Sequence, residues 1–180
     1  MSSIRKAVCL AVAPFTLLAL SSCSGAGAND TAATSELSDI EIAAIRQACE
    51  TVSVEYAIYL DNKDWENMPN AFAPEGTWEV LGNTMTGPEE IQDYWKRRTA
   101  DWDEHHGRLH QITNQVIEVI DRDHARGTSK VVIYFFDTRE GQNASLAPLL
   151  IAQNHDEYVR TDEGWKLSLR RIERLANVGS

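Results

Sequence analysis

Histidine is the side chain best suited to moving protons near neutral pH, because its ordinary pKa lies at about 6.5. Of the five histidines in this chain, His110 sits in a β-patterned run. Strict alternation there places it on one face with Ile112, Asn114 and Val116. Two other groups could take part in such chemistry, the Tyr56 hydroxyl on the apolar stripe of a helix and the Asp61 carboxylate just beyond it. A tyrosine in an apolar cavity can hydrogen-bond a developing enolate where water does not compete. Each residue also has a purely structural reading. Tyr56 can be core packing, Asp61 can be turn chemistry within Asp61-Asn62-Lys63-Asp64, and His110 can be a hydrogen-bonded core residue. Asn114 is either a pocket hydrogen-bonder or a residue that holds the curvature of the sheet.

The other chemical candidates are weaker. His105 and His106 could join His110 around a metal, but no cysteine or carboxylate spacing supports a site, so they read as a solvated helix end. His124 and His155 lie among charged residues and read as structural. Asp156 and Arg170 read either as a second polar contact in a pocket or as an inter-strand ion pair on the surface. Trp65, Trp78, Trp95, Trp102 and Trp165 read as core. The sequence has no glycine-rich phosphate loop and no recognisable Ser-His-Asp order, so no nucleotide cofactor and no metal is expected.

The elements that must position these groups are legible from periodicity. Ser38 and Glu41 form a capping-box pattern, followed by a helical stripe of Ile42, Ile45, Cys49, Val52, Tyr56 and Tyr59 that stops near Leu60-Asp61-Asn62. Asp64 is placed to cap a second helix with Trp65, Met68 and Phe72 inward, ending around Pro74 and Gly76. A strand over 77–81 and a Gly82-Asn83 turn follow. Thr86 and Glu89 suggest a second capping box, with Pro88 in the first turn of a third helix running to about Asp103. Four β-type runs complete the chain, over 108–120, 124–138, 146–160 and 165–172. Short turns between them predict an antiparallel meander. The fold class is therefore α+β, with three N-terminal helices packed on a curved, mostly antiparallel sheet that leaves a cone with a ligand-sized mouth.

Ahead of this domain, Arg5 and Lys6 precede an apolar run from Ala7 to Leu20, too short for a membrane span and typical of a cleaved leader. Leu20-Ser21-Ser22-Cys23 resembles the bacterial lipobox, which makes residues 1–22 a lipoprotein signal peptide and Cys23 the lipidation site. Residues 23–36 read as lipidated cysteine and flexible tether, and 37–176 as the domain. The protein is then expected to be exported and lipid-anchored to the bacterial cell envelope, touching the membrane through that anchor only. Cys9 leaves with the leader and Cys23 is acylated, so Cys49 has no disulfide partner; it reads as a small buried hydrophobe. The whole chain has 17 basic and 27 acidic residues; without Arg5 and Lys6 there are 15 against 27, a net charge of −12. That excludes nucleic acid as a natural partner.

Several short motifs, in order, resemble the SnoaL-like branch of the NTF2-like superfamily. They include Tyr56 with Asp61, Asp64-Trp65, Phe72-Ala-Pro-Glu-Gly76, Gly107-Arg-Leu-His110 with Asn114, Ala125-Arg-Gly127, and Gly164-Trp165 with Arg170. The resemblance implies an NTF2-like cone and proton-transfer chemistry of the dehydratase and isomerase kind on apolar, often polycyclic molecules. It implies that His110 is a general base oriented by Asp61, with Tyr56 as the neighbouring hydroxyl. It places Asn114, Arg170 and Asn154 at the substrate, Asn154 standing where relatives often carry tyrosine. It also implies a small hydrophobic ligand and pairing through the exposed sheet face into a homo-oligomer. The expected function is thus a cofactor-independent dehydratase or isomerase on a small apolar, polycyclic or carbonyl-bearing substrate. The alternative is a non-catalytic envelope lipoprotein that binds a small hydrophobic ligand or a partner protein.

Overall fold

The computed structural model describes residues 36–143 and 148–177; the leader, Cys23 and nearly all of the tether lie outside the described residues. Ser38 and Glu41 close their capping box. The Ser38 hydroxyl accepts the Glu41 N–H at 3.3 Å, and the Glu41 carboxylate accepts the Ser38 N–H at 2.9 Å. Helix α1 (Asp39–Asn62) then buries Ile45, Cys49, Val52, Tyr56 and Leu60 along the predicted stripe. It stops where Lys63 enters the left-handed region at φ 54° and its N–H bonds back to the Leu60 carbonyl. That stop leaves Asp61 in the final turn.

The second predicted helix does not form. Pro69 lacks an N–H, and the segment makes only a short 3₁₀ turn, Met68–Ala71, before Phe72 opens β1 (Phe72–Val80) beside Leu167. The helical layer therefore contains two α-helices instead of three. β1 reverses into β2 (Asn83–Thr86), a strand the periodicity did not reveal. The turn is Leu81-Gly82, both at positive φ (50° and 80°), one residue earlier than expected. Helix α2 (Pro88–Arg98) has Pro88 in its first turn, but its predicted capping box is replaced. Gly87, at φ 85°, is the N-cap, and Glu90 accepts the Thr86 N–H at 2.8 Å.

Four long strands follow: β3 (His106–Val119), β4 (His124–Asp137), β5 (Pro148–Thr161) and β6 (Gly164–Asn177). They form the expected antiparallel meander, and β1 joins β6 in parallel, giving a mixed sheet in the order β2-β1-β6-β5-β4-β3. At the β1–β6 crossing a side chain at Gly76 would meet the Leu167 carbonyl at 2.7 Å, so only glycine fits there.

One irregularity in β3 changes which residues face inward. The register jumps from Thr113↔Lys130 to Val116↔Thr128, so one extra residue is accommodated and Asn114 takes φ 50°. Such a bulge shifts the alternation by one. Beyond it Ile117 is buried, whereas Val116 is 64% exposed. The expected face of His110, Ile112, Asn114 and Val116 therefore ends at Ile112.

Candidate active site

Strand β3 runs beside the end of α1, and the two meet at His110. The imidazole Nδ1–H donates to Asp61 Oδ1 at 2.5 Å, and the His110 backbone N–H donates to Asp61 Oδ2 at 2.8 Å. Both carboxylate oxygens are thus committed to one residue, which fixes the ring's orientation. An ionised carboxylate only accepts, so in the neutral imidazole the proton lies on Nδ1 and Nε2 keeps the lone pair. The His110 side chain is 8% exposed and Asp61 16%, a setting in which this pair is little screened by water.

Arg108, two residues earlier on the same strand face, holds the other half of the junction. Its Nε and Nη2 both donate to the Leu60 carbonyl, at 3.1 and 2.5 Å, and its Nε lies 3.9 Å from Asp61 Oδ1. Helix α1 has no basic residue in its last turn, so Arg108 supplies the positive charge that a helix C-terminus favours. Its guanidinium carbon lies over the rings of Trp95 and Trp102, at 4.7 and 5.4 Å from their centres.

His110 opens onto a cavity of about 710 Å³ walled by α1, α2 and the inner face of the sheet. That volume suits a small organic ligand. Its apolar wall includes Ile112, Val131, Ile133 and Ile172, and its polar wall includes Tyr56, Asn154, Arg108 and Arg170. Tyr56 is 3% exposed. Burial pushes its phenol well above the ordinary value against the pull of Arg170 and Arg108, so it stays protonated at neutral pH. Asn154, 3% exposed, donates from its amide to Ser129 Oγ at 3.1 Å on the neighbouring strand.

Arg170 is not the surface ion pair that sequence reading left open. It is 1% exposed, donates twice to Asp156 at 2.8 and 2.7 Å and once to Ser53 Oγ at 2.7 Å, and lies 4.6 Å from the Tyr56 ring centre. Burial alone would lower it, but Asp156 outweighs that and holds it above the ordinary arginine value. Tyr158 adds a hydrogen bond to the same carboxylate at 3.0 Å, so every member of this buried group is paired.

The structure therefore brings together His110, Asp61, Tyr56, Asn154 and Arg170. Asn114 is not among them. It is exposed at the β3 bulge and is not part of the cavity wall, because the bulge turns it away from the face that carries His110. His105, His106, His124 and His155 make local bonds to Thr138, Asp103, Asp121 and Glu173 outside the cavity. Among the described residues no group of three or more His, Cys, Asp or Glu is arranged to hold a metal ion. Sequence reasoning missed Arg108, Trp78, Trp95 and Trp102, which all line the cavity. For Arg108 the signal was present, since it alternates with His110.

Comparison with known proteins places the chain in a defined group. A family model for the SnoaL-like domain matches residues 41–171. Among solved structures, LinA is similar at 23% identity with a TM-score of 0.66, covering 80% of this chain and 95% of its own. The hexachlorocyclohexane dehydrochlorinase LinA-type3 from Novosphingobium barchaimii LL02 is similar at 24% identity and TM-score 0.63, covering 78% and 92%. A candidate scytalone dehydratase from Novosphingobium aromaticivorans DSM 12444 is similar at 18% identity and TM-score 0.65, covering 77% and 89%. At these identities the likeness establishes the shared NTF2-like α+β fold. Among curated proteins none matches the chain.

Proposed function

The chain belongs to the SnoaL-like domain family, and on that premise we propose that it is a cofactor-independent lyase or isomerase. Its substrate is a small apolar molecule, polycyclic or carbonyl-bearing, bound in the cavity beside His110. The observation that carries this reading is the 2.5 Å bond from His110 Nδ1 to Asp61 at the cavity wall. Nε2 accepts a proton from an acidic carbon of the substrate, and the Asp61 carboxylate stabilises the imidazolium that results. The freed electron pair either expels a leaving group from the adjacent carbon or shifts a double bond. The imidazolium returns its proton to the departing hydroxyl, giving water, or to a different carbon. Tyr56, held neutral, donates toward the negative charge that develops. Asn154 and Arg170 contact or orient the substrate. The structural relatives named for dehydrochlorination and dehydration are named for eliminations, which agrees with the same first step. We place the domain on the cell envelope, exported and held through a lipidated Cys23.

Deuterium exchange tests the reading before the substrate is identified. A panel of apolar cyclic ketones in D₂O is followed by NMR with the wild-type protein, His110→Gln and Asp61→Asn. Wild type should accelerate exchange at the carbon next to the carbonyl. His110→Gln should lose about 10²–10⁴-fold of that acceleration, the usual contribution of a positioned base. Exchange that is unchanged in His110→Gln sinks the base assignment. Exchange no faster than buffer, with ligand binding retained, assigns the domain to binding without catalysis.

A further inference from the structure

The wall of the cavity carries four arginines, Arg98, Arg108, Arg170 and Arg174, and one carboxylate, Asp101. That balance runs against the chain as a whole, whose net charge is −10. Two of the four are offset from behind the wall. Arg170 is bonded to Asp156, and Arg108 stands 3.9 Å from Asp61. Arg98 and Arg174 differ from them. Both are exposed, and among the described residues neither has a hydrogen bond or an ion pair from its side chain. Several surface arginines outside the cavity do have one: Arg126 is paired with Glu118, Arg139 with Asp137 and Arg171 with Glu79.

The strands fix where Arg174 stands. Arg170, Ile172 and Arg174 alternate along β6, and all three reach the cavity. The register runs from Arg174 to Ala152, Val131 and Ile112 across β6, β5, β4 and β3. Three strand spacings of about 4.8 Å separate the ends of that row, about 14 Å along the curved sheet. Ile112 adjoins His110 on one face of β3, so Arg174 lies at the other end of the row from the histidine's strand. Arg98 comes from the helical layer, in the last turn of α2. Leu81, Phe135 and Leu149 belong to the same wall, and their exposure marks its open side. An apolar interior thus meets solvent beside two guanidiniums that have no partner.

We propose that Arg98 and Arg174 form a rim that captures a carboxylate, so that the ligand class of this cavity is the apolar organic acid. The hydrocarbon part lies among Ile112, Val131, Ile133 and Ile172. The acid end stays at the open side, where a guanidinium matches a carboxylate with paired N–H donors. Carried to the buried end, the carboxylate would lose its water for guanidiniums that Asp61 and Asp156 already offset. Partly exposed ion pairs are weak singly, so the gain comes from two of them acting on one anion. The rim takes from the proposed function only that this cavity holds the ligand, and it does not depend on turnover by His110.

The test compares 4-(1-naphthyl)butyrate with its primary amide, which share a skeleton and differ in charge, by calorimetric titration of the full chain. At an ionic strength of about 0.01 M, wild type should bind the acid about fivefold or more tighter than the amide. Most of that preference should be gone at about 1 M salt, where charges are screened within about 3 Å. Arg98→Gln and Arg174→Gln should each shrink it, and the double variant should bring the ratio close to one with the affinity for the amide unchanged. Equal affinity for the two probes in wild type overturns the proposal and needs no variant. So does a preference that survives the double variant in full. A preference indifferent to salt assigns the carboxylate to the buried Arg108 or Arg170 and overturns the rim as well. His110→Gln separates the two readings: a preference that persists there supports the rim even if no exchange chemistry is found. A preference that vanishes with His110 assigns the carboxylate to the imidazole and overturns it. If neither probe binds, the rim captures no apolar acid and the proposal falls, while the ketone exchange still decides the base assignment by itself.

Discussion

Asp61 touches His110 through both the ring and the backbone N–H, so its carboxylate sets the proton's position as well as the ring's angle. In Asp61→Asn an amide replaces one of those acceptors and the other tautomer of His110 becomes competitive. Turnover should drop about 10²–10⁴-fold, with KM for a competent substrate little changed, as separate kcat and KM measurements will show. Arg170 is buried and paired with Asp156 and Ser53. Arg170→Met strands the Asp156 carboxylate, 3% exposed, and should destabilise by about 3–5 kcal/mol in urea unfolding. Arg170→Met with Asp156→Leu should recover much of that. Cys49 is fully buried and burial pushes its thiol up to about 12. Peptide-resolved alkylation at pH 7 should leave Cys49 unlabelled until the domain unfolds. His110, Asp61 and Tyr56 were legible because each stands in an ordered set of motifs. Trp78 and Trp95 were not, because an aromatic residue on an apolar face looks the same whether it fills a core or walls a cavity. Asn114 misled for a different reason: nothing in a residue's type announces the bulge that turns it outward.

At the scale of elements, the helical stripe of α1 and the four meander strands were readable because their periods persist over many residues. Short elements were not. The Phe72–Val80 strand hides behind Pro74 and Gly76, and its parallel pairing with β6 is a long-range fact that no local pattern encodes. The capping pattern at Thr86 and Glu89 lost to Gly87, whose positive φ sets a different entry into α2. The β1–β2 turn has two successive positive φ values at Leu81 and Gly82, the form in which asparagine or aspartate normally precedes glycine. Leu81 is 57% exposed and gains little from burial. Leu81→Asn should therefore raise stability by about 0.5–1 kcal/mol, read as a higher Tm, and a lower Tm would contradict the turn assignment. Asn114→Val, a β-branched residue placed at φ 50°, should cost about 1–2 kcal/mol, whereas Asn114→Gly should cost far less.

The domain holds a partly enclosed cavity, and the chain carries a net charge of −10. Many of its surface carboxylates are held low. Glu41 falls from 4.5 to about 2 through its backbone bond to Ser38 and its bond to Arg122, and Asp103, Glu118, Asp121 and Asp137 are lowered by similar local bonds. A depressed folded-state value means stability that is present above the unfolded value and lost as pH falls through the folded one. The Tm should accordingly decline as pH drops from about 4.5 toward 2, less steeply for Glu41→Gln, and these exposed contributions should weaken with salt. The anchor is tested separately. Cys23→Ser should abolish labelling with a palmitate analogue and shift the protein out of the membrane fraction, with the domain's ligand binding intact. The proposed function turns on an oriented histidine base, and nitrogen-15 NMR of the His110 ring measures that directly. Long-range ring spectra of the neutral imidazole should show the proton on Nδ1 and a bare Nε2, and Asp61→Asn should mix the two tautomers. A proton on Nε2 in the wild-type protein, or a tautomer that ignores the loss of Asp61, would contradict it.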